Sequence, residues 1–359
     1  MKIYCMTVNK DNKTTAGAKA PDDVSFIARR MGAEMLVFKE AHKFKNIKWT
    51  RFFSVFVGMR NWVNLLLRVK SNSYVIIQHP NENILIANKL INLCKKVKKI
   101  KFIFLIHDME SLRKNLSINN GELPEGRGII ADEVLLKKAD YIICHNKAMK
   151  QYLVSRGFDD SIIVELEIFD YLHDCQLSAD RELNNSIIIA GNLMKEKVGY
   201  LYKMIENNEI NVDINLFGPN YSGASNIKHV NYCGQCRPEE LPGKLRGSFG
   251  LVWDGTEIDG CHGKAGEYIR YNNPHKCSLF LSSNIPVIIW KEAALAQFVE
   301  ENGVGITIDS LRDIHEKISQ ITENEYKTMI LNTAKIGEKL RGGYYFQTAL
   351  KIIIDKECL

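Results

Sequence analysis

Short apolar runs alternate along the chain with longer amphipathic segments. The candidate strands in the first half are KIYCMTV, MLVFK, YVIIQH, KFIFLIH and YIICHN. Those in the second half are SIIIAGN, VDINLFG, IKHVNYCG, FGLVWDG, IPVIIW and VGITID. Most are continuously apolar rather than alternating, the mark of strands covered on both faces of a parallel sheet. Helix-length segments lie between them, among them Asp22 to Met31, Ile84 to Lys96 and Asp132 to Lys138. Strands alternating with helices predict an α/β architecture. Eleven strands in 359 residues are too many for one compact doubly wound sheet, so two Rossmann-like domains are expected. The polar stretch FDYLHDCQLSADRELNN, Phe169 to Asn185, interrupts the pattern before SIIIAGN restarts it. The expected organisation is a first domain over 1–172, a second over 185–335, and a last amphipathic helix, 336–359, crossing back onto the first.

Composition narrows the class. Apolar residues make up 45% and charged residues 25%, the balance of a soluble globular protein. No run of apolar residues is long enough for a membrane-spanning helix. The opening MKIYCMTVNKDNK has no apolar signal core, and nine Cys without a framework suggest a reducing compartment, so a cytoplasmic location is expected. Net charge is a modest +6 but unevenly spread: Ala41 to His107 carries thirteen Lys and Arg against one acid, Glu82. Within it, FKNIKWTRFFSVFVGMRNWVNLLLRVK mixes cations with Trp49, Trp62 and several Phe and Leu. Three readings stay open: a solvated basic face, an amphipathic helix on an anionic membrane surface such as the inner face of the cell membrane, and a nucleic-acid contact. No recognition motif supports the last, and nucleic acid is not an expected partner.

Ligands of open parallel sheets sit beyond the C-terminal ends of the strands, and with two such domains the natural site is the cleft between them. Polar residues just after strands are therefore the candidates. YNNPHK places Tyr271, Asn272, Asn273, His275 and Lys276 at a helix start, where unpaired N–H groups favour an anion and Lys276 adds a full charge. AGN supplies Gly191, which permits close backbone approach, and Asn192, with Lys195 and Lys197 following. FGPNY adds Gly218 at the next strand end. After the first strand, Thr14, Thr15, Ala16 and Gly17 form a small-residue loop ahead of a helix expected to be capped by Asp22 or Asp23. HDMESLR places His107 and Asp108 at a strand end, where a carboxylate facing the cleft suits a general base. Ordinary structural roles also remain open: Asn273 as an N-cap, Asn192 as a turn residue, Asp108 or Ser111 as a cap, His107 as a core residue. Neither G-x-x-x-x-G-K-[ST] nor G-x-G-x-x-G is present. Cys233 and Cys236 lack a second pair, Asp254, Asp259, Cys261 and His262 have no ligand spacing, and no essential metal is expected.

NPHKCSLFLSSNIPVII resembles the P-x-K-x-x-x-Y-L-x-x-G-x-P-V-I element in the donor-nucleotide domain of GT-B glycosyltransferases. From DNKTTAGAKAPDD through HDMESLR, AGNL, FGPNY, GSFGLVWDG and YNNPHK, nearly the whole chain resembles a bacterial group within them. That group contains glucosyltransferases extending O-linked N-acetylglucosamine on serine-rich adhesins, and galactofuranosyltransferases of surface polysaccharide assembly. The resemblance implies a GT-B fold, two Rossmann-like domains facing each other across a cleft. It implies a metal-independent enzyme with no cofactor, moving glucose, galactose or galactofuranose from a UDP-sugar to a saccharide acceptor on a lipid carrier or protein. A homodimer or homotetramer is implied as well. By position, Lys195, Asn272 and Lys276 would meet the donor's pyrophosphate or ribose, in a pocket completed by Gly191, Asn192, Gly218, Tyr271, Asn273 and His275. Thr14 to Gly17 would face the sugar and acceptor. Two departures stand out. Leu279 occupies the place of the Glu that holds the ribose in many GT-B enzymes, and Asn284 with Ile285 replaces the usual Gly before the Pro-Val strand. Asn tolerates the left-handed conformation that such a turn needs. Another nucleotide-sugar enzyme, or a non-catalytic scaffold subunit of a glycosylation complex, would share much of this pattern. Intact Lys195 and Lys276 argue against the scaffold.

Overall fold

The computed structural model describes residues 2–8, 16–40, 46–80, 84–115, 130–177, 181–207, 209–224 and 226–358. The first half runs β1 (Ile3–Val8), α1 (Ala16–Arg30), β2 (Glu34–Phe38), α2 (Ile47–Arg68), β3 (Tyr74–His79), α3 (Ile84–Lys98), β4 (Lys101–Ile106), α4 (Glu110–Asn115), β5 (Tyr141–Cys144), α5 (Lys147–Ser155) and β6 (Ile163–Glu165). The second runs β7 (Ser186–Ala190), α6 (Lys195–Glu206), β8 (Asp213–Phe217), β9 (Val230–Tyr232), α7 (Leu241–Lys244), β10 (Phe249–Val252), α8 (Gly263–Gly266), α9 (His275–Ser282), β11 (Val287–Trp290), α10 (Ala296–Asn302), β12 (Gly305–Ile308), α11 (Ile314–Ser319), α12 (Glu323–Gly342) and α13 (Tyr344–Cys358). Two six-stranded sheets result, ordered β2-β1-β3-β4-β5-β6 and β12-β11-β10-β7-β8-β9. Every pairing is parallel. This is the α/β architecture expected, and its cause is visible in the strands. All five residues of β7 are buried, as are five of six in β4, because helices cover both faces.

Among the described residues twelve strands form where the apolar pattern predicts eleven. The extra one, β6, is three residues at a sheet edge ending in Glu165, too short to stand out. The helix expected to be capped by Asp22 or Asp23 instead begins at Ala16, with Pro21 inside it. Asp23 turns inward and pairs with Lys19, one turn earlier on the same face. Residues 130–138 form a π-helical turn followed by a 3₁₀ turn rather than a regular helix. There Asp132 is buried and bonded to His79 Nε2 at 2.7 Å, and it accepts from the Ser111 N–H.

One apolar cluster links the halves. It runs from Ile27, Ile76 and Ile143 through Ile168, Phe169 and Tyr171 into the second sheet. The chain crosses between the halves twice. After the first crossing near residue 170, α12 starts in a Thr322/Glu325 capping box, packs on α9 and stops at Gly343, φ +78°. α13 then lies on α1 and β6 of the first domain. Its first N–H groups, from Tyr345 and Phe346, donate to the Asp170 carboxylate at 3.1 and 2.8 Å. At its far end Glu357 accepts from the Tyr74 hydroxyl, Tyr141 and Lys101.

Candidate active site

Two strand ends form the floor of the site. Gly191 follows β7 and Gly218 follows β8, at φ +128° and +145°. The Gly191 N–H donates to the Phe217 carbonyl at 2.9 Å, so the two loops lie flat against each other. A Cβ on Gly218 would fall 1.7 Å from the Gly191 carbonyl oxygen, which leaves no residue but glycine there. Asn192 ties the loops together: its Oδ1 accepts from Asn220 Nδ2 at 3.0 Å and from the Met194 N–H at 3.2 Å.

The wall is α9, introduced by Pro274 and opening with His275 and Lys276. Asn284, at φ +55°, makes the left-handed turn between α9 and β11 in place of a glycine. The first domain closes the opposite side with Lys19 and Tyr171. Between these elements lies a cavity of about 380 Å³, lined also by Gln235, Cys236, Pro238 and Leu279. That volume suits a compact ligand such as a nucleotide.

A lysine faces the cavity from either side, each paired with a carboxylate. Lys19 is buried, donates to Asp23 and the Leu172 carbonyl, and sits 4.9 Å from the Tyr171 ring centre. Burial pushes the Asp23 carboxyl up to about 6, against the pull of the Lys19 ammonium. Lys276 Nζ donates to the Trp253 carbonyl at 2.9 Å and to Asp254 Oδ1 at 2.8 Å. An ammonium has three donors, so among the described residues one has no partner. The His275 ring packs against Tyr171, centroids 4.9 Å apart, and burial pushes its imidazole down to about 4. It is neutral at physiological pH, and its Nε2 has no partner among the described residues.

Of the residues expected in the donor pocket, Gly191, Asn192, Gly218, His275 and Lys276 come together here. The others do not line the cavity. Lys195 opens α6 beside it, exposed, with its ammonium 5.1 Å from the Tyr202 ring centre. Tyr271 packs edge-on against Tyr152 of the first domain. Asn272 is half-buried, its Oδ1 unpartnered among the described residues. Asn273 is spent on the domain junction: Nδ2 donates to the His145 and Glu167 carbonyls at 2.8 and 3.0 Å. Its Oδ1 accepts from Asn146 at 2.7 Å, and its N–H donates to His145 Nδ1 at 2.9 Å.

His107 and Asp108 lie on the first-domain side, outside the lining. His107 Nε2 meets Gln78 Oε1 at 2.7 Å and its ring stacks on Phe169, centroids 5.4 Å apart. Asp108 follows β4 with an Arg113 nitrogen 4.0 Å away. Enclosure by its neighbours raises its pKa, while Arg113 and Lys197 oppose the rise. Next to it, the Met109 N–H donates to the Tyr268 hydroxyl of the second domain at 2.8 Å. Thr14 and Thr15 lie outside the described residues, while Ala16 and Gly17 are the first residues of α1. Sequence reasoning missed Lys19 and Tyr171. The one available signal for Lys19 is its four-residue spacing from Asp23. Among the described residues no group of three or more His, Cys, Asp or Glu is placed to hold a metal ion, and no helix is long and apolar enough to cross a membrane.

Comparison with known proteins gives this geometry a context. Residues 2–168 match the N-terminal domain of the glucosyltransferase 3-like family and residues 187–353 its C-terminal domain. A β-1,6-galactofuranosyltransferase of Escherichia coli K12, WbbI, is 34% identical over 83% of this chain and 88% of its own. Glucosyltransferase 3 of Streptococcus gordonii is 22% identical over 94% of this chain and 92% of its own. The crystal structure of Anabaena HepE in complex with UDP and glucose superposes with a TM-score of 0.56 at 11% identity, over 100% of this chain and 99% of HepE. The chain belongs to the glucosyltransferase 3-like family and has the two-domain fold of the GT-B glycosyltransferases.

Proposed function

We propose that the chain transfers a hexosyl group from a UDP-sugar to a saccharide acceptor, with UDP held in the cavity between the domains. The observation that carries this reading is the glycine floor of Gly191 and Gly218 lining one cavity with Lys276, which has one donor uncommitted among the described residues. A diphosphate can lie against that backbone as no side-chain-bearing floor would allow. The start of α9 adds its dipole, and Lys276 adds a full charge. Lys195, at the start of α6, needs only to swing off the Tyr202 ring to join them. Leu279 in the lining leaves ribose recognition to polar groups other than a carboxylate at that place, with Asn272 Oδ1 a candidate.

In the reaction the acceptor hydroxyl oxygen bonds to the anomeric carbon, the bond from that carbon to the phosphate oxygen breaks, and UDP leaves with the electron pair. Lys276 and the helix terminus stabilise the charge that builds on UDP. Asp108 receives the acceptor's proton, a role that asks for an ionised carboxylate facing the cleft. To the acceptor we assign His107 and, from the sequence alone, the stretch Thr14 to Gly17. Approach of the two domains excludes water and limits donor hydrolysis.

The relatives' names support a glucosyl or galactofuranosyl donor; a galactosyl donor, and an acceptor in surface polysaccharide or glycoprotein assembly on a lipid carrier or a protein, belong to our reading. We place the reaction in the cytoplasm, in a homodimer or homotetramer, without a metal or cofactor, because fixed cations take the role a divalent ion would have. Activity in excess EDTA checks the metal: full turnover is expected, and a loss restored by Mn²⁺ or Mg²⁺ would overturn it. The reading as a whole is tested with UDP-glucose, UDP-galactose, UDP-galactofuranose and UDP-N-acetylglucosamine. Thermal stabilisation and UDP release are followed with and without acceptor glycans. One donor standing out is the expected result. Stabilisation by UDP without release from any donor would favour a binding subunit, and no response to any UDP compound would sink the site.

A further inference from the structure

We propose that α2 is a membrane-docking helix that lies in the interface of a bilayer rich in anionic lipid. The helix is 22 residues long, about 33 Å. One stripe of it is buried: Asn61, Trp62 and Leu65 face the first sheet. Trp62 meets Phe38 edge-on at 5.9 Å, and Asn61 is bonded in both directions to the Lys39 backbone, which fixes how the helix is rolled. The opposite stripe carries Trp49, Phe52, Phe56, Met59, Val63 and Leu67. They recur every three or four residues, and each is between 43% and 75% exposed. A continuous aromatic and aliphatic stripe about 27 Å long facing solvent is far from the scattered single residues of an ordinary surface.

Charge selects the occupant. Residues 41–81 contain seven Lys and Arg and no acidic residue. Lys48 and Arg60 flank the stripe on α2, both exposed. The neighbouring α3, which packs on α2, exposes Leu93 and Val97 together with Lys89 and Lys96, and Lys99 follows it. A second copy of the chain seated on this face would bring these cations against one another with no acid on α2 to meet them. A bilayer with anionic headgroups takes the apolar stripe into its boundary region and the flanking cations at its surface. No helix among the described residues is long and apolar enough to cross a membrane, so the arrangement is one of lying on the surface.

The test is vesicle co-sedimentation of the full chain. Vesicles of phosphatidylcholine mixed with phosphatidylglycerol are compared with phosphatidylcholine alone. Trp49 supplies a built-in probe, because the other three Trp are at most 2% exposed. Binding should shift Trp emission to the blue, favour the anionic vesicles and weaken with salt. Phe52→Ser/Phe56→Ser should lower partitioning about tenfold or more. Lys48→Gln/Arg60→Gln should lower it about fivefold per cation. Both variants should keep the wild-type melting temperature and response to UDP, since all four side chains are exposed. Failure to bind anionic vesicles, or binding that Phe52→Ser/Phe56→Ser leaves intact, would overturn the proposal. So would an oligomer in solution that this variant disperses while vesicles are ignored.

Discussion

The proposed donor site depends most on Lys276, and Lys276→Met isolates its charge. Methionine keeps most of the stem that packs in α9 and removes the ammonium. In the fold the ammonium holds Asp254 and the Trp253 carbonyl, with side chains 17% and 23% exposed for Lys276 and Asp254. Losing a charged hydrogen bond at such a site costs about 1.5–3 kcal/mol of stability. The ligand effect is separate. A third donor that met a diphosphate, as proposed, would contribute about 1.5–3 kcal/mol, so UDP affinity should fall about ten- to a hundredfold. UDP release from the donor should fall by about a hundredfold or more, because the charge on leaving UDP is greatest in the transition state. UDP titration followed by thermal shift, and a coupled assay of UDP release, measure the two effects. Asp254→Asn is the control: it weakens the ion pair but leaves the ammonium, so UDP affinity should hold or rise. If Lys276→Met binds UDP and turns over within a few-fold of wild type, the cation serves the ion pair alone and the reasoning fails.

Three further outcomes follow from the geometry. Asn273→Ala leaves the His145 and Glu167 carbonyls and one Asn146 bond without partners at the domain junction, and should cost about 2–4 kcal/mol in urea unfolding; a loss near zero would show that water replaces the amide freely. Gly218→Ala meets both a left-handed backbone and the Gly191 oxygen, so it should lose about 3 kcal/mol or more and bind UDP poorly, and a wild-type melting curve would contradict it. The pH dependence contains opposed groups. His145 and His275 sit at about 4, below their unfolded value, so the stability they contribute is present above about pH 6.5 and is lost as pH falls toward 4. Asp23 and Asp170, raised by burial to about 6 and about 7, act the other way, their stability present at low pH and lost as pH rises through those values. Asp170→Asn removes its share of this offset, so between pH 7.5 and 4 the variant should lose about 4 kcal/mol relative to wild type. Parallel curves in urea titrations would refute the buried-acid assignment.

The strands were legible because buried parallel strands leave continuous apolar runs, and β3 is read off as YVIIQH without error at either end. β6 was not, being three residues whose pairing with β5 has no local signature. Strand ends pointed to Gly191 and Gly218 and a helix start to Lys276, and all three line the cavity. Lys19 and Tyr171 were illegible for the opposite reason: one is in a helix and the other in the linker, and only tertiary packing brings them to the cavity. Asn273 read equally well as a cap or a ligand residue, because its bonds to His145, Asn146 and Glu167 span more than a hundred residues of sequence. The start of α1 was misread because Asp23 has the chemistry of a cap, and its pairing with Lys19 decides otherwise.

The two chain crossings between the domains run side by side. The Tyr171 N–H donates to the Leu340 carbonyl at 3.3 Å, and the Asp170 carboxylate holds the first N–H groups of α13 just beyond. A body joined to another by one strand swivels as on a ball joint. Joined by two strands pinned to each other, it swings as a door does, about the line through both pins, and sideways drift is suppressed. Tyr171 stands on that line and also lines the cavity, so a small swing changes the gap at the far lip much more than the contact beside Tyr171. A swing about that line would widen the entrance while the register of the two walls at the pivot stayed fixed.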